Sequence, residues 1–332
     1  MVTGATWGDR STRWRTRCGV CTTTARTWAW ITEARNANQE VLITFGHCDY
    51  PPSNAPDSAK QNSTSRTAYC AGESTGAVDT TTYAAAVEAF MNASDLGGMG
   101  RVRWYSAWNE PNLKGTQPTA GPVKSSDTAL TVYNSGAYRA GRYWRKVFDL
   151  CQTRHCGVLA GEFIDASMGN PAKRNSAGGH YFTQYRKGMG RPPKIWSWHA
   201  YRGASKRIDP GTPVSARWKT LKAFRNRTAS SANVPIWLSE QGARVRFDDG
   251  PVLYPPKSGP GELLRNLLNE SPEQSPRIKR FYYYQFKGNP KYDAGLVSPD
   301  STQAKVNPRV GMTNPMEPDL DNQYSVFKDK VR

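Results

Sequence analysis

The chain contains no run of about 18 apolar residues, so no membrane span is expected. Its opening stretch, MVTGATWGDRSTRWRTRC, has no apolar core of the kind a secretory leader carries; no signal peptide is visible, which would place the chain in the cytoplasm unless its natural start lies upstream. A glycine-rich phosphate loop is absent, which argues against an open dinucleotide-binding sheet. Acidic residues are scarce: 27 Asp and Glu stand against 45 Lys and Arg, for a net charge of +18. Such a balance suits an anionic partner such as nucleic acid or an acidic polysaccharide. The basic residues are nevertheless scattered, with no accompanying nucleic-acid motif, so they read as a solvated surface and no nucleic-acid partner is expected. Cys18-x-x-Cys21 has no second CxxC and no nearby His pair, which weighs against zinc. No motif calls for a metal or an organic cofactor.

What is present is aromatic and cysteine-paired. Eleven Trp, 16 Tyr and 10 Phe are too many for a disordered chain, and 332 residues suffice for one large domain or two smaller ones. The six cysteines fall into local pairs, Cys18/Cys21, Cys48/Cys70 and Cys151/Cys156. An even count at such spacings suggests disulfides and an oxidising, hence secreted or extracellular, setting.

Two stretches share one build. RVRWYSAWNEPN, 101–112, is a strand-like run that ends in Asn109, Glu110 and Pro111; proline has no N–H for a ladder and stops the strand. VPIWLSEQGA, 234–243, is again strand-like and ends in Glu240. Between and around them strand and helix patterns alternate. Strand signals fall near residues 41, 103, 157, 195, 236 and 281, with one weak candidate at 2–7. Helical periodicity marks 26–38 (Trp28, Ile31, Ala34 and Arg35 on one face), 79–95, 127–150, 180–189, 214–228, 261–270 and 323–331. EVLITFGH at 40–47 is almost wholly apolar, as a strand buried on both faces must be. Residues 1–25 carry no usable period, and 48–78 form a long polar loop that a Cys48–Cys70 bridge would tie down.

Alternation without a linker implies an α/β fold, a parallel sheet covered by helices in a single domain over 1–332. A (β/α)8 TIM barrel is favoured over an open sheet because each strand ends in polar groups: His47, Asn109 and Glu110, Glu162, His199 and Tyr201, Glu240, and Tyr284 and Gln285. A barrel brings such ends to one mouth. The barrel is incomplete at its N-terminus in this reading, since strands one and two should precede residue 40.

Two carboxyl groups flanking one bond are what glycosidic cleavage needs, one protonated to donate to the leaving oxygen and one ionised to attack or to activate water. Glu110 and Glu240 suit that pairing. Asn109 is placed to hydrogen-bond a sugar hydroxyl, His47 and His199 to line the first sugar site, and Tyr201 to hold the Glu240 carboxylate ionised. Trp108 offers aromatic surface, Glu162 lines the site, and His155 and His180 read as structural.

WNEPN at 108–112 and Ser239-Glu240-x-Gly242 together resemble the strand-four and strand-seven ends of the clan A retaining glycoside hydrolases, the cellulase and xylosidase-like (β/α)8 barrels. The resemblance runs from about residue 39 to 331. It implies that Glu110 is the acid/base, Asn109 the sugar-binding asparagine and Glu240 the nucleophile. HAY at 199–201 matches the strand-six position, and YYYQF with AGLVSPD matches the eighth strand and its loop. The implied substrate is an oligo- or polysaccharide with β-linkages, acted on by a monomer. The usual tryptophan at the end of strand eight is replaced by Tyr284-Gln285-Phe286, and a supporting arginine on strand two has only Arg10 or Arg13 as counterpart. A non-catalytic carbohydrate-binding protein on the same, degenerate barrel is the alternative.

Overall fold

The computed structural model describes residues 31–36, 40–45, 80–96, 102–113, 118, 129–165, 177–201, 218–229, 233–241, 246–247, 268–283 and 292–293. The chain divides into two compact units, Thr6–Ser197 and Trp198–Arg332, the latter with Met1–Ala5. His47, Tyr284, Gln285, the weak strand at 2–7, the 48–78 loop, the helix at 323–331 and the cysteines other than Cys151 and Cys156 lie outside the described residues.

In the first unit three strands run parallel: β1 (Leu42–Thr44), β2 (Trp104–Ser106) and β3 (Gly157–Ile164). Leu42 pairs with Trp104 and Thr44 with Ser106; Trp104 pairs with Gly157 and Ser106 with Leu159. Ala160 N–H donates to Ile195 O at 3.0 Å, just before β4 (Trp196–His199) begins. The six central residues of β3 are buried, and so are all four of β4. Strands covered on both faces read as largely apolar runs, here interrupted by the buried polar residues Glu162, Ser197 and His199.

Helices α1 (Thr80–Leu96), α2 (Ala129–Arg154) and α3 (Ala177–Met189) return the chain between these strands. On α1, Tyr83, Val87, Phe90 and Met91 are buried; on α2, Ala140, Tyr143, Trp144, Val147 and Phe148 are. Both sets follow the three-or-four spacing of one helical face. Each large side chain so buried stabilises the fold by about 1.5–3 kcal/mol. The stretch 31–36 is helical as its pattern predicts, with Ile31 and Ala34 buried; Arg35 is exposed, so the apolar face is narrower than the sequence suggested. The α2–α3 crossing is unusually close. A side chain on Gly141 would begin 2.2 Å from Tyr185 O, and one on Gly188 would begin 2.1 Å from Tyr138 O, so only glycine lets the two backbones touch. Cys151 and Cys156 form a disulfide across the turn that leads from α2 into β3.

In the second unit β5 (Ile236–Gln241) and β7 (Ile278–Tyr283) are parallel neighbours, preceded by α4 (Lys219–Arg227). Phe224 of α4 stacks on Trp198 at 4.4 Å. Arg277 ties the entrances of the two strands together, its Nε donating to Val234 O at 2.8 Å. Burial, and then the nearby Arg225, lower its pKa. Residues 268–273 are helical, three residues past the end of the helix expected over 261–270; residues 261–267 lie outside the described residues. A two-stranded antiparallel pair, β6 (Arg246–Phe247) with β8 (Tyr292–Asp293), is too short to have left a sequence pattern. None of the described helices is long and apolar enough to cross a membrane.

Candidate active site

Each unit presents a buried glutamate at or just beyond the C-terminal end of a parallel strand. In the first unit that residue is Glu110, four residues past the end of β2. It is buried, with a backbone φ of 45°. A glutamate in the left-handed region costs of order 1–3 kcal/mol and persists only where the surroundings enforce it. Here they do. Asn109 N–H donates to Phe45 O at 2.9 Å, which carries the pairing with the β1 segment past the end of the ladder. The Tyr181 hydroxyl of α3 donates to Pro111 O at 2.5 Å. Asn112, fully buried, makes two hydrogen bonds with the main chain of Ile164: its Nδ2 donates to the carbonyl at 2.7 Å, and its Oδ1 accepts from the N–H at 2.9 Å. Leu113 N–H closes the turn onto Glu110 O at 2.9 Å.

Glu162 on β3 is the second carboxylate of this unit. It is fully buried and also has a left-handed backbone, with φ 50°, following Gly161 at φ 111°. Two such residues in a row take the backbone out of regular strand geometry here. The Gly161 N–H goes to the Tyr185 hydroxyl at 3.0 Å. Burial pushes the Tyr185 phenol up; the Gly161 bond opposes that shift and the charge of Glu162 adds to it. Tyr185 therefore stays protonated. The Thr44 hydroxyl of β1 lies 3.3 Å from Glu162 Oε1 on β3. Asn109 and Trp108 are half-buried, and among the described residues Asn109 Oδ1 has no hydrogen-bond partner. Trp108 packs by its ring against Tyr143 at 5.3 Å and Tyr83 at 6.4 Å. Tyr83 in turn donates to Ala107 O, and burial with two neighbouring phenols, Tyr143 and Tyr185, raises its pKa well above the usual value.

In the second unit Glu240, on β5, is buried, and the Tyr201 hydroxyl donates to its Oε1 at 2.5 Å. His199 Nδ1 stands 3.9 Å from the other carboxylate oxygen, an attraction that operates only when the imidazole is protonated. The His199 and Tyr201 rings meet edge to face at 6.5 Å. A donor on a carboxylate stabilises its negative charge. The β5–β7 register shifts between Leu238 and Gln241, the interval that contains Glu240. Gln241 is fully buried, and its amide has no partner among the described residues.

Asn109, Glu110, Glu162 and Trp108 thus lie in one unit, and the other brings His199, Tyr201 and Glu240 into contact. His155 and His180 are exposed. The sequence reading assigned no role to Asn112, Tyr181, Tyr185, Thr44 or Gly161. Asn112 was visible as the last residue of the WNEPN motif; the others left no signal.

No protein-family model matches the sequence. No curated protein matches it either. Among solved structures, the β-glucosidase from Thermotoga maritima in complex with noeuromycin superposes with a TM-score of 0.52 at 11% identity, covering 85% of this chain and 74% of that one. At that identity the likeness shows the fold alone, a (β/α) barrel. A GH5-4 broad-specificity endoglucanase from an uncultured bacterium matches with a TM-score of 0.49 at 13% identity, over 82% of this chain and 70% of that chain. For N2152 from Neocallimastix frontalis the TM-score is 0.43 at 12% identity; the match takes in 77% of this chain but spans 48% of that protein.

Proposed function

We propose that the chain is a retaining glycosidase that cleaves β-glycosidic bonds, with residues 1–332 acting as one barrel domain. Glu110 donates a proton to the leaving oxygen and later takes one from water. Glu240 attacks the anomeric carbon to form a glycosyl-enzyme intermediate. Asn109 hydrogen-bonds the sugar hydroxyl beside the scissile bond, His199 and Trp108 line the first sugar site with Glu162, and Tyr201 keeps Glu240 charged for attack. His47, Tyr284 and Gln285 complete the site in this reading. The observation that carries it is the Tyr201 hydroxyl on the Glu240 carboxylate at 2.5 Å, in a chain with a glycosidase-type fold. A nucleophilic carboxylate must be ionised and aimed, and a short phenolic bond does both. The Cys151–Cys156 disulfide supports a secreted protein. The enzyme acts as a monomer on an oligo- or polysaccharide.

The test is hydrolysis of a panel of aryl β-glycosides. Glu110→Gln and Glu240→Gln are each expected to remove turnover while the variants keep the wild-type melting temperature. Wild-type turnover in both variants would sink the assignment. Glycan binding without turnover by the unaltered protein would favour the degenerate, binding-only alternative.

A further inference from the structure

Among the described residues of the first unit, several basic side chains flank one place, the α2–α3 crossing. Glycine at 141 and 188 lets the backbones meet there, with Tyr138 O and Arg142 N both beside Gly188. Basic side chains from the two helices and the turn after α3 collect around that contact. Arg142 and Lys187 are exposed and flank it. Arg145 Nη1 lies 3.7 Å from where a side chain on Gly190 would begin. The Arg191 guanidinium lies over the Phe148 ring at 4.5 Å. Asp149 is the single carboxylate on α2, and residues 177–194 contain none. Asp149 is already neutralised: Arg145 Nε donates to its two oxygens at 2.8 and 3.0 Å. Arg142 and Lys187 have no ion-pair partner among the described residues. Tyr138, on the same α2 face one turn before Arg142, is 42% exposed and offers an aromatic ring beside the cations.

Like charges brought this close repel one another, and an anionic partner relieves that repulsion. We propose that the exposed face of α2 and the C-terminal end of α3 bind a uronic-acid polysaccharide, a glycan carrying a carboxylate on its sugar units. The contact between Arg145 and Asp149 shows the carboxylate geometry that arginine on this face accepts. Tyr138 provides a flat surface for the apolar face of a sugar ring. The choice of a glycan over another polyanion rests on the glycosidase reading. This surface lies on the helix layer, away from the strand ends that carry Glu110, so it holds a polymer without taking part in bond cleavage.

The experiment measures binding of the full chain to alginate, to a neutral β-glucan and to single-stranded DNA across a salt series. Aryl β-glycoside turnover is measured on the same preparations. Alginate is expected to bind with an affinity that falls steeply as salt rises, and DNA more weakly. Arg142→Glu with Lys187→Glu should lower alginate affinity by about tenfold, the scale of a few exposed charge contacts reversed, and leave aryl glycoside turnover unchanged. The milder pair Arg142→Gln with Lys187→Gln should move in the same direction and guards against misfolding of the first. Unchanged alginate affinity in both pairs overturns the surface. So does tighter binding of DNA than of alginate, which would make it a nucleic-acid site. Absence of wild-type turnover counts against the glycosidase reading alone, because the binding series is scored separately.

Discussion

Around Glu110 the grip is on the main chain: Asn109 to Phe45, Pro111 to Tyr181, and Asn112 to Ile164 hold the turn on both sides of the glutamate. Around Glu240 it is on the carboxylate, through Tyr201 and His199, while the backbone lies within β5. In the proposed mechanism the two arrangements suit different work. A proton donor changes charge during each cycle, and a scaffold that fixes its position through the backbone tolerates both states. A nucleophile must arrive charged, and a donor set against its oxygens favours that state throughout.

The largest effect that would break this contrast comes from removing each side chain and supplying azide. With Glu110→Ala, an activated aryl glycoside can still load Glu240, and azide, which needs no base, should discharge the intermediate to a β-glycosyl azide. With Glu240→Ala, azide can only enter the emptied place and attack directly, giving the α-glycosyl azide. The same anomer from both variants, determined by proton NMR, would show that the two roles are not distinct. General acid–base catalysis contributes about 10²–10⁴-fold, so Glu110→Ala without azide should lose activity on that scale against substrates with poor leaving groups.

Asn112→Ala comes next. It removes two hydrogen bonds at a buried site and leaves the Ile164 main chain unsatisfied. About 2–4 kcal/mol of stability should be lost in a denaturant titration, with turnover falling alongside as the Glu110 turn loosens. Unchanged stability would show that the backbone cradle is not what holds Glu110. Tyr201→Phe should have the smallest effect and touch activity rather than the fold. A hydrogen bond to a charged group is worth about 1.5–3 kcal/mol, so kcat/KM should fall roughly tenfold to a hundredfold. If instead the melting temperature dropped and kcat/KM held, Tyr201 would be a packing residue.

Much of the scaffold could be read from the chain because its signals are local. The apolar run EVLITFGH yields β1, WYS yields β2, and IWLSE yields β5, each at the place its pattern marks. Glu110 and Glu240 were visible because a carboxylate at the end of an apolar run stands out. The devices that hold them were not, because they join residues far apart in sequence: Asn112 to Ile164 across 52 positions, Tyr181 to Pro111 across 70. The left-handed conformations of Glu110 and Glu162 are invisible for another reason. Glutamate has no preference for that region, so nothing in its identity announces it. The cationic ridge was hidden by the same distance effect: Arg142 and Lys187 look unrelated until Gly141 and Gly188 bring their helices into contact.

Glu162 stands where glycine or asparagine would sit more comfortably. A chain drifting under selection for thermal stability alone would soon shed this glutamate, and Glu110 with it, since glycine or asparagine in their place would relieve backbone strain. Holding two such residues within one unit draws on a reserve that the aromatic core of α1, α2 and α3 has to supply. Attempts to make this protein hardier by relaxing its strained positions would therefore begin by dismantling its candidate active site.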